Sequence, residues 1–320
     1  MAAVWDDLKV GVHDDRPPAE VFAAFPGAAL SRQFIGPGTL PKGTDLAARF
    51  EAAARPTWKA GGLPVVSLKL RWDEVTAGQW DVRLRHLGGW LAGQPDAVVV
   101  LWHEPEDDHA TPAKARAFVS AFNHARGLLK EAAPTLVVAY CAMSYQWRPG
   151  SKSTADPAIW RGIEADLYLC DVYSGKSFPA SATLPEHPGF ARWKREVVDS
   201  VPGRRWGVGE RGILAGPTRA KTWQRERDWL LGPGRDCALY MVWNTPGTED
   251  DIRWVQHEVE RAQAADVEAV RDLVAALAIP AGYRPWNGAV VVCEATGTLV
   301  ARDLIARHEA WREAIERSSG

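Results

Sequence analysis

Eight apolar runs of strand length recur along the chain at intervals of roughly 30 residues, the spacing of repeated βα units. Several runs are almost entirely apolar, as strands covered on both faces are. Eight parallel strands with intervening helices form a TIM barrel, so the spacing predicts a single (β/α)8 barrel. The predicted strands are Leu8–His13, Ala28–Ile35, Leu63–Arg71, Ala97–Trp102, Thr135–Met143, Ala165–Val172, Arg205–Gly209 and Cys237–Trp243.

The segments between these runs have helical periodicity. A doubly wound sheet is the alternative arrangement of the same units, but it requires a glycine-rich turn after the first strand. The sequence Val12-His13-Asp14-Asp15-Arg16 is not such a turn, which favours the barrel. The predicted helices are 44–59, Asp73–Leu91, Thr111–Glu131, Gly189–Ser200, Thr218–Leu231 and Glu249–Ala262.

The eighth βα unit ends near residue 264, which predicts a barrel over 1–264 and a C-terminal extension over 265–320. In the extension we expect a helix over Asp266–Ala278, a short strand over Ala289–Glu294 and an amphipathic helix over Thr298–Arg317. The extension is predicted to pack on the barrel. Attachment or self-association through 298–317 is the alternative interpretation.

Composition excludes several classes of partner. The formal net charge is −2 over 320 residues, so no basic surplus indicates nucleic-acid binding. No run approaches the roughly 18 apolar residues of a membrane span. The first residues lack the basic start and apolar run of a secretion signal, which leaves a cytoplasmic, virion-associated or mature exported protein open. The four cysteines are predicted to be reduced, and no cofactor or metal site is predicted.

Two of the apolar runs end on a glutamate. Val98-Val99-Val100-Leu101-Trp102-His103 leads to Glu104, and Trp206-Gly207-Val208-Gly209 leads to Glu210. Strand alternation groups Glu104 with Val100 and Trp102, and Glu210 with Trp206 and Val208. Strands four and seven are nearly opposite in an eight-stranded ring, so the two carboxyl groups are expected to face each other across its mouth. Two such carboxyl groups can cleave a glycosidic bond, with one group as the acid and the other as the nucleophile.

Other side chains at the strand ends are candidates for binding a substrate. His13 ends the first strand, while Arg32 and Lys69 lie in the second and third, where a charge must be paired or at the mouth. Trp72 and Trp147 follow strands three and five. The chain has 16 tryptophans, and flat indole rings stack well on sugar rings. All five side chains are therefore candidate sugar contacts. The alternative is packing for His13, Trp72 and Trp147, and pairing with another charge in the barrel wall for Arg32 and Lys69.

Three motifs resemble one family of enzymes. His103-Glu104-Pro105, Gly209-Glu210-Arg211-Gly212 and Cys170-Asp171-Val172-Tyr173 together resemble glycoside hydrolase clan A over about residues 8–260. Histidine before the first glutamate, and Asp-x-Tyr at the end of strand six, are most similar to family 26, the β-mannanase-like group. The aromatic signature of that family after the strand-four glutamate is replaced here by Glu106-Asp107-Asp108, which separates the chain from typical mannanases.

The resemblance implies a role for each matched position. Glu104 would be the general acid/base and Glu210 the nucleophile of a retaining, endo-acting hydrolase of β-linked polysaccharide or cell-surface glycan. His103 would hold the sugar or the acid/base, Tyr173 would orient Glu210, and Trp243 would be the sugar platform.

Two other functions remain open from the residues. A non-catalytic sugar-binding or structural barrel, part of a larger assembly such as a phage tail, would keep the tryptophans. A metal-dependent hydrolase would use His103, Glu104 and His109 with Asp107 and Asp108. The spacing is not His-Glu-x-x-His, however, and Pro105 would interrupt the helix that such a motif needs.

Overall fold

Eight parallel strands close one barrel in the computed structural model of the chain, in chain order around the ring. The structure describes residues 8–36, 40, 43–109, 111–150, 155–175, 178–214, 216–244, 264–278, 283–287, 290–293 and 299–301. The strands are β1 (Lys9–His13), β2 (Leu30–Ile35), β3 (Leu63–Leu68), β4 (Val98–His103), β5 (Val137–Met143), β6 (Leu167–Ser174), β7 (Trp206–Ile213) and β8 (Cys237–Trp243). The predicted (β/α)8 barrel is confirmed, and each strand lies within three residues of its predicted start.

Helices follow the strands as the βα repeat requires. They are α1 (Pro18–Ala24), α2 (Leu46–Lys59), α3 (Trp72–Thr76), α4 (Asp81–Leu91), α5 (Pro105–Asp108), α6 (Pro112–Ala132), α7 (Pro157–Trp160), α8 (Pro188–Trp193), α9 (Arg219–Leu231) and α10 (Ala264–Leu277). The predicted helix Asp73–Leu91 is divided into α3 and α4, because Gly78 adopts a φ of +72° between them. The predicted helix Gly189–Ser200 becomes α8 and a π-helical turn at Lys194–Val198.

The strands separate two apolar layers. One set of side chains fills the barrel, and the alternate set packs between strands and helices. Barrel-filling residues include Leu30, Val65, Val98, Val100, Ala139, Cys141, Leu167, Leu169, Leu239 and Met241. Because both faces of the strands are covered, the runs are apolar throughout, which is why they were recognisable in the sequence.

Helix α10 shares the outer layer of the barrel. Its residues Val270, Leu273 and Val274 are fully buried in the same core as the other helices, and Asp266 forms a 3.0 Å ion pair with buried Arg219 of α9. The helix predicted at the start of the extension therefore packs on the barrel. The domain boundary at 264 stays a prediction.

Three short strands follow α10. β9 (Tyr283–Asn287), β10 (Val290–Cys293) and β11 (Leu299–Ala301) form an antiparallel sheet in the order β11-β10-β9. The strand expected over Ala289–Glu294 is confirmed as β10, but the helix expected from Thr298 is wrong at its start, where β11 pairs with β10. The rest of that segment, the attachment role of 298–317 and the helix Glu249–Ala262 lie outside the described residues. Among the helices that are described, none combines the length and apolarity of a membrane span.

Candidate active site

The carboxyl end of β4 is bulged, and the bulge sets which side chains enter the barrel. Val100 pairs with Ala139 of β5 and His103 pairs with Cys141, so three steps on β4 match two on β5. The extra residue places both Leu101 and Trp102 in the outer layer. His103, rather than Trp102, therefore follows Val100 on the interior side.

The prediction that Trp102 shares a face with Glu104 is consequently wrong. Trp102 packs edge-on against Phe118 of α6, and its indole N–H donates to the carbonyl of Leu70 at 2.6 Å. Both Trp102 and Glu104 have a φ of +52°. A non-glycine residue in this left-handed region costs roughly 1–2 kcal/mol, and such strain persists only where surrounding contacts fix it.

A second bulge lies in β7. Val208 and Arg211 pair with Tyr240 and Val242 of β8, so β7 again contains one residue more than its neighbour. Simple alternation would have placed Glu210 in the outer layer beside Val208, so the predicted grouping of Glu210 with Trp206 and Val208 is wrong. The bulge turns Glu210 inward and sends Arg211 outward, where its guanidinium binds buried Glu226 of α9 at 2.7 and 2.9 Å.

Gly209 is required at this bulge. A Cβ atom there would lie 2.5 Å from Oδ1 of Asp171 and 2.8 Å from Sγ of Cys141. The absence of a side chain lets Glu210 and Asp171, which are register partners on β7 and β6, converge inside the barrel.

Arg32 lies at the centre of the barrel interior. Its Nη1 is 2.9 Å from Oε1 of Glu210 and 2.9 Å from Oδ1 of Asp171, and its Nε donates to Ser67 Oγ at 3.2 Å. The side chain is fully buried, so the prediction of a rim contact with substrate is wrong for Arg32. Its position instead makes it the counter-ion of two carboxylates.

Tyr173 reaches the other oxygen of Glu210. Its hydroxyl donates to Oε2 of Glu210, while Arg32 occupies Oε1. Both oxygens are thus held by donors, and the side chain of Glu210 is only 7% exposed. Arg211, the other residue that could have approached this carboxylate, points away from it.

Burial and like charges act on both glutamates. Burial raises the pKa of Glu104 well above its ordinary value, and the charges of Asp171 and Glu210 raise it further. Burial and then Asp171 raise the pKa of Glu210 to about 8, against the opposing effects of Arg32 and the Tyr173 hydrogen bond. Because Arg32 and Tyr173 stabilise the ionised form of Glu210, a proton shared by the pair is best held on Glu104.

Aromatic side chains form one wall of the mouth. The ring of His13 lies 4.4 Å from that of Trp243, and Phe34 stands edge-on to His13 and His103. Phe34 is 38% exposed, which is unusual for so large an apolar side chain in this structure. The wall therefore offers apolar faces directly beside the buried charges.

The two histidines of this wall are neutral. Burial and the charge of Arg32 lower the pKa of His13 to about 4, and burial, Arg32 and Lys69 lower that of His103 to about 3. The carbonyl of Arg32 lies 3.0 Å from Nδ1 of His13, so that nitrogen carries the proton and Nε2 is left as an acceptor. Nδ1 of His103 is buried with no hydrogen-bond partner among the described residues.

Three other predicted contacts have their partners outside this cluster. Trp147 is fully buried in the outer layer, where its indole donates to Glu106, so its prediction as a sugar contact is wrong. Trp72 packs edge-on against His109 in a groove beside the barrel mouth. Lys69 forms a 2.6 Å ion pair with Asp108, and both side chains are partly exposed.

Sequence reasoning missed three residues of the site. Asp171 was noted only as part of a motif, yet its Oδ2 is buried with no hydrogen-bond partner in the described structure. Cys141, expected only to be a reduced thiol, donates to Asp171 Oδ1 at 3.1 Å. Phe34 lies at the third inward position of β2, after Leu30 and Arg32, so strand alternation could have identified it. No group of His, Cys, Asp and Glu suited to a metal ion occurs among the described residues.

Comparisons with known proteins give similarity in fold. No family model matches the chain, and no curated protein matches it. A triple-substituted endo-β-1,4-glucanase from Xanthomonas axonopodis pv. citri is 13% identical over 83% of this chain and 98% of its own, with a TM-score of 0.59. An enzyme designated GH5_18 from Streptomyces cattleya, bound to GlcNAc, is 14% identical over 85% and 81%, with a TM-score of 0.57.

An endo-1,4-β-mannanase from Eisenia fetida is 11% identical over 80% of this chain and 81% of its own, with a TM-score of 0.51. At these identities the likeness establishes the shared barrel fold. What the chain does must be argued from its own site.

Proposed function

We propose that the chain is a retaining, endo-acting glycoside hydrolase that cleaves a β-linked polysaccharide or cell-surface glycan. The observation that carries the proposal is the convergence of Glu104 and Glu210, from two bulged strands, on one buried charge cluster beside an aromatic wall. Barrel enzymes hold their reacting groups at this end of the strands.

Glu210 is suited to be the nucleophile. Arg32 and Tyr173 bind its two oxygens and stabilise the carboxylate, which opposes the rise in its pKa caused by burial and Asp171. An oxygen of Glu210 attacks the anomeric carbon, and the glycosidic C–O bond breaks with its electron pair passing to the leaving oxygen. A covalent glycosyl ester on Glu210 results.

Glu104 is suited to be the acid in that step and the base in the next. Its raised pKa favours the protonated form, which can give its proton to the leaving oxygen. As a carboxylate it then takes a proton from water, the water oxygen attacks the anomeric carbon, and the bond to Glu210 breaks. Two inversions give net retention.

The aromatic wall supports a sugar as the substrate. Trp243 and Phe34 offer apolar faces for the C–H face of a pyranose, and the acceptor nitrogen of His13 can bind a hydroxyl. His103 stands beside Glu104 on the same wall. The named activities of the structural neighbours make β-1,4-glucan and β-1,4-mannan the first polymers to assay.

The test compares two glutamine variants on two kinds of substrate. Glu104→Gln should lose about 10²- to 10⁴-fold in kcat on polysaccharide but retain most of its kcat/KM for a dinitrophenyl glycoside, because that constant reports the first step and the leaving group needs no proton. Glu210→Gln should be inactive on both. Reducing ends and the anomer first released, read by proton NMR, measure activity and stereochemistry.

Glu131→Gln is the matched control, because Glu131 is an exposed carboxylate on α6 paired with Arg85. Full turnover by both site variants would exclude the assignment, and an inverted first product would exclude the covalent route. Binding of glycan without release of reducing ends would instead favour the non-catalytic module. Loss of turnover with a chelator would favour the metal-dependent alternative.

A further inference from the structure

The turn that carries Glu104 is anchored by a second glutamate two residues later. Glu106 belongs to the four-residue helix α5, yet it is only 2% exposed. Its Oε1 accepts from the hydroxyl of Tyr140 and from the indole of Trp147 at 3.0 Å, and its Oε2 accepts from the backbone N–H of Met143 at 3.2 Å. Three hydrogen bonds to a buried carboxylate hold its side chain in one position.

All three donors belong to the neighbouring strand or to the turn that follows it. Tyr140 and Met143 are in β5, and Trp147 ends the 3₁₀ turn Ser144–Trp147. In the same segment the amide of Gln146 donates to Oδ1 of Asp107 at 2.8 Å. Helix α5 is therefore attached to β5 by side chains, beyond the end of the β4–β5 pairing.

Glu104 needs such an attachment. Its φ of +52° and ψ of +45° are rarely adopted by non-glycine residues and persist only where neighbouring contacts impose them. Its own N–H donates to the carbonyl of Cys141 at 2.9 Å, which fixes the turn on one side. Glu106 fixes the other side through Pro105, whose ring limits the backbone between the two glutamates.

We propose that Glu106 is a positioning residue for the acid/base, holding the left-handed turn that aims the Glu104 carboxyl at the leaving-group oxygen. This inference rests on the proposed function. Glu106 faces the outer layer rather than the mouth, so it acts through the backbone and through its charge, without touching substrate.

The charge of Glu106 also affects the pKa of Glu104, which a pH–rate profile can measure. Burial raises the pKa of Glu106 to about 7, and its hydrogen bonds to Tyr140 and Trp147 oppose that rise. Its charge adds to the raised pKa of Glu104, after burial, Asp171 and Glu210. The titratable or charged groups that act on the two glutamates are Arg32, Tyr140, Cys170, Asp171, Tyr173 and Glu210.

The experiment is Glu106→Gln, assayed on polysaccharide and on a dinitrophenyl glycoside. Glutamine can still accept from Tyr140 and Trp147, but its amide nitrogen opposes the N–H of Met143. We expect kcat on polysaccharide to fall roughly 10- to 100-fold at unchanged KM, because a small misplacement of a reacting group has effects of that size. The kcat/KM for the dinitrophenyl glycoside, which reports the first step only, should be retained. The basic limb of the pH–rate profile should move to lower pH, because a negative charge near Glu104 has been removed.

Glu226→Gln is the matched buried control, since Glu226 also accepts from a tyrosine hydroxyl and a backbone N–H but lies behind Glu210. Any loss in that variant should affect both substrates alike. Trp147→Phe, which removes one donor and keeps a ring in place, provides a second variant if Glu106→Gln fails to fold. It should show the same leaving-group dependence to a smaller degree.

Two failures are distinguishable. If Glu104→Gln itself shows no leaving-group dependence, the proposed function fails. If Glu104→Gln behaves as expected while Glu106→Gln and Trp147→Phe are unchanged, or slow both substrates equally, only the positioning role of Glu106 is overturned.

Discussion

Asp171 and Glu210 share one guanidinium nitrogen, because Nη1 of Arg32 lies 2.9 Å from Oδ1 of Asp171 and 2.9 Å from Oε1 of Glu210. One buried cation therefore neutralises two adjacent carboxylates only in part. Burial disfavours ionisation of the third carboxyl, Glu104, and the uncompensated charge of Asp171 and Glu210 adds to that effect, so the pair raises the pKa of the proposed acid.

Asp171→Asn should move both limbs of the pH–rate profile to lower pH. The charge of Asp171 raises the pKa of Glu104 and that of Glu210, so its removal lowers both. Arg32 would then be more fully available to Glu210, which acts in the same direction. The measurement is kcat/KM against pH for a soluble substrate.

Asp166→Asn is the control for this shift. Asp166 precedes the same strand at its opposite end and pairs with Arg126 near the surface. A profile that stays in place for Asp171→Asn, or moves to higher pH, would contradict the charge-sharing explanation.

The strands could be read from the sequence because a barrel strand covered on both faces is apolar throughout. Their parallel closure then placed Glu104 and Glu210 at the mouth. The reason given for their inward direction was wrong, because simple alternation ignores the two bulges. A bulge depends on how Trp102 and Arg211 find partners on other elements, and those partners are not visible in a local pattern.

The contacts of Arg32 and Trp147 were harder to predict from the sequence than the strands. Arg32 was recognised as a charge that needs a partner, but its partners lie on β6 and β7, far away in sequence. Trp147 was taken for a sugar contact because it follows a strand, while its true neighbour Glu106 had no predicted role. Contacts between residues far apart in sequence decide both positions, across the barrel for Arg32 and between adjacent βα units for Trp147.

Phe34→Ala should weaken binding more than it slows the reaction. Its ring is partly exposed and is held by His13 and His103, so it presents an apolar face at the mouth. An aromatic contact of about 0.5–1.5 kcal/mol corresponds to a rise in KM of roughly 2- to 12-fold. Steady-state kinetics on a soluble oligosaccharide measure it.

Val82→Ala is the comparison, because Val82 is the other large exposed apolar side chain among the described residues and lies on α4. It should leave KM unaltered. An unchanged KM for Phe34→Ala would remove Phe34 from the binding wall, whereas a loss confined to kcat would assign it to the chemistry.

Arg211→Met should destabilise the fold strongly. The ion pair between Arg211 and Glu226 is fully buried, and removing one partner leaves the other as an unpaired buried charge. The expected loss is about 3–5 kcal/mol in the free energy of unfolding, measured with urea. The double variant Arg211→Met/Glu226→Leu should recover much of it, because no buried charge remains.

Arg225→Met provides the surface counterpart. Arg225 pairs with Glu186, and both side chains are more than 40% exposed. Its loss should cost less than about 1 kcal/mol. A single-variant loss at Arg211 no larger than this would mean that the buried pair does not fix β7.

His187→Gln should make the protein less sensitive to acid. His187 is fully buried, its Nδ1 accepts from the N–H of Phe190 at 3.2 Å, and its Nε2 donates to the carbonyl of Tyr173 at 3.3 Å. Burial, and then the charge of Arg211, lower the pKa of His187 from 6.5 to about 3. Between those pH values His187 is protonated in the unfolded chain but neutral in the folded chain. The free energy of unfolding therefore falls as the pH falls from 6.5 towards 3.

Urea unfolding at several pH values measures this effect. A difference of one bound proton between the unfolded and folded chains changes the free energy of unfolding by about 1.4 kcal/mol per pH unit, and the variant should lack that contribution. The difference in free energy of unfolding between the two proteins should therefore change with pH below 6.5 and become constant above pH 7. A difference that stays constant throughout would show that the neutral ring of His187 has no part in acid unfolding, and that its effect on stability comes from its hydrogen bonds and its packing against Phe178.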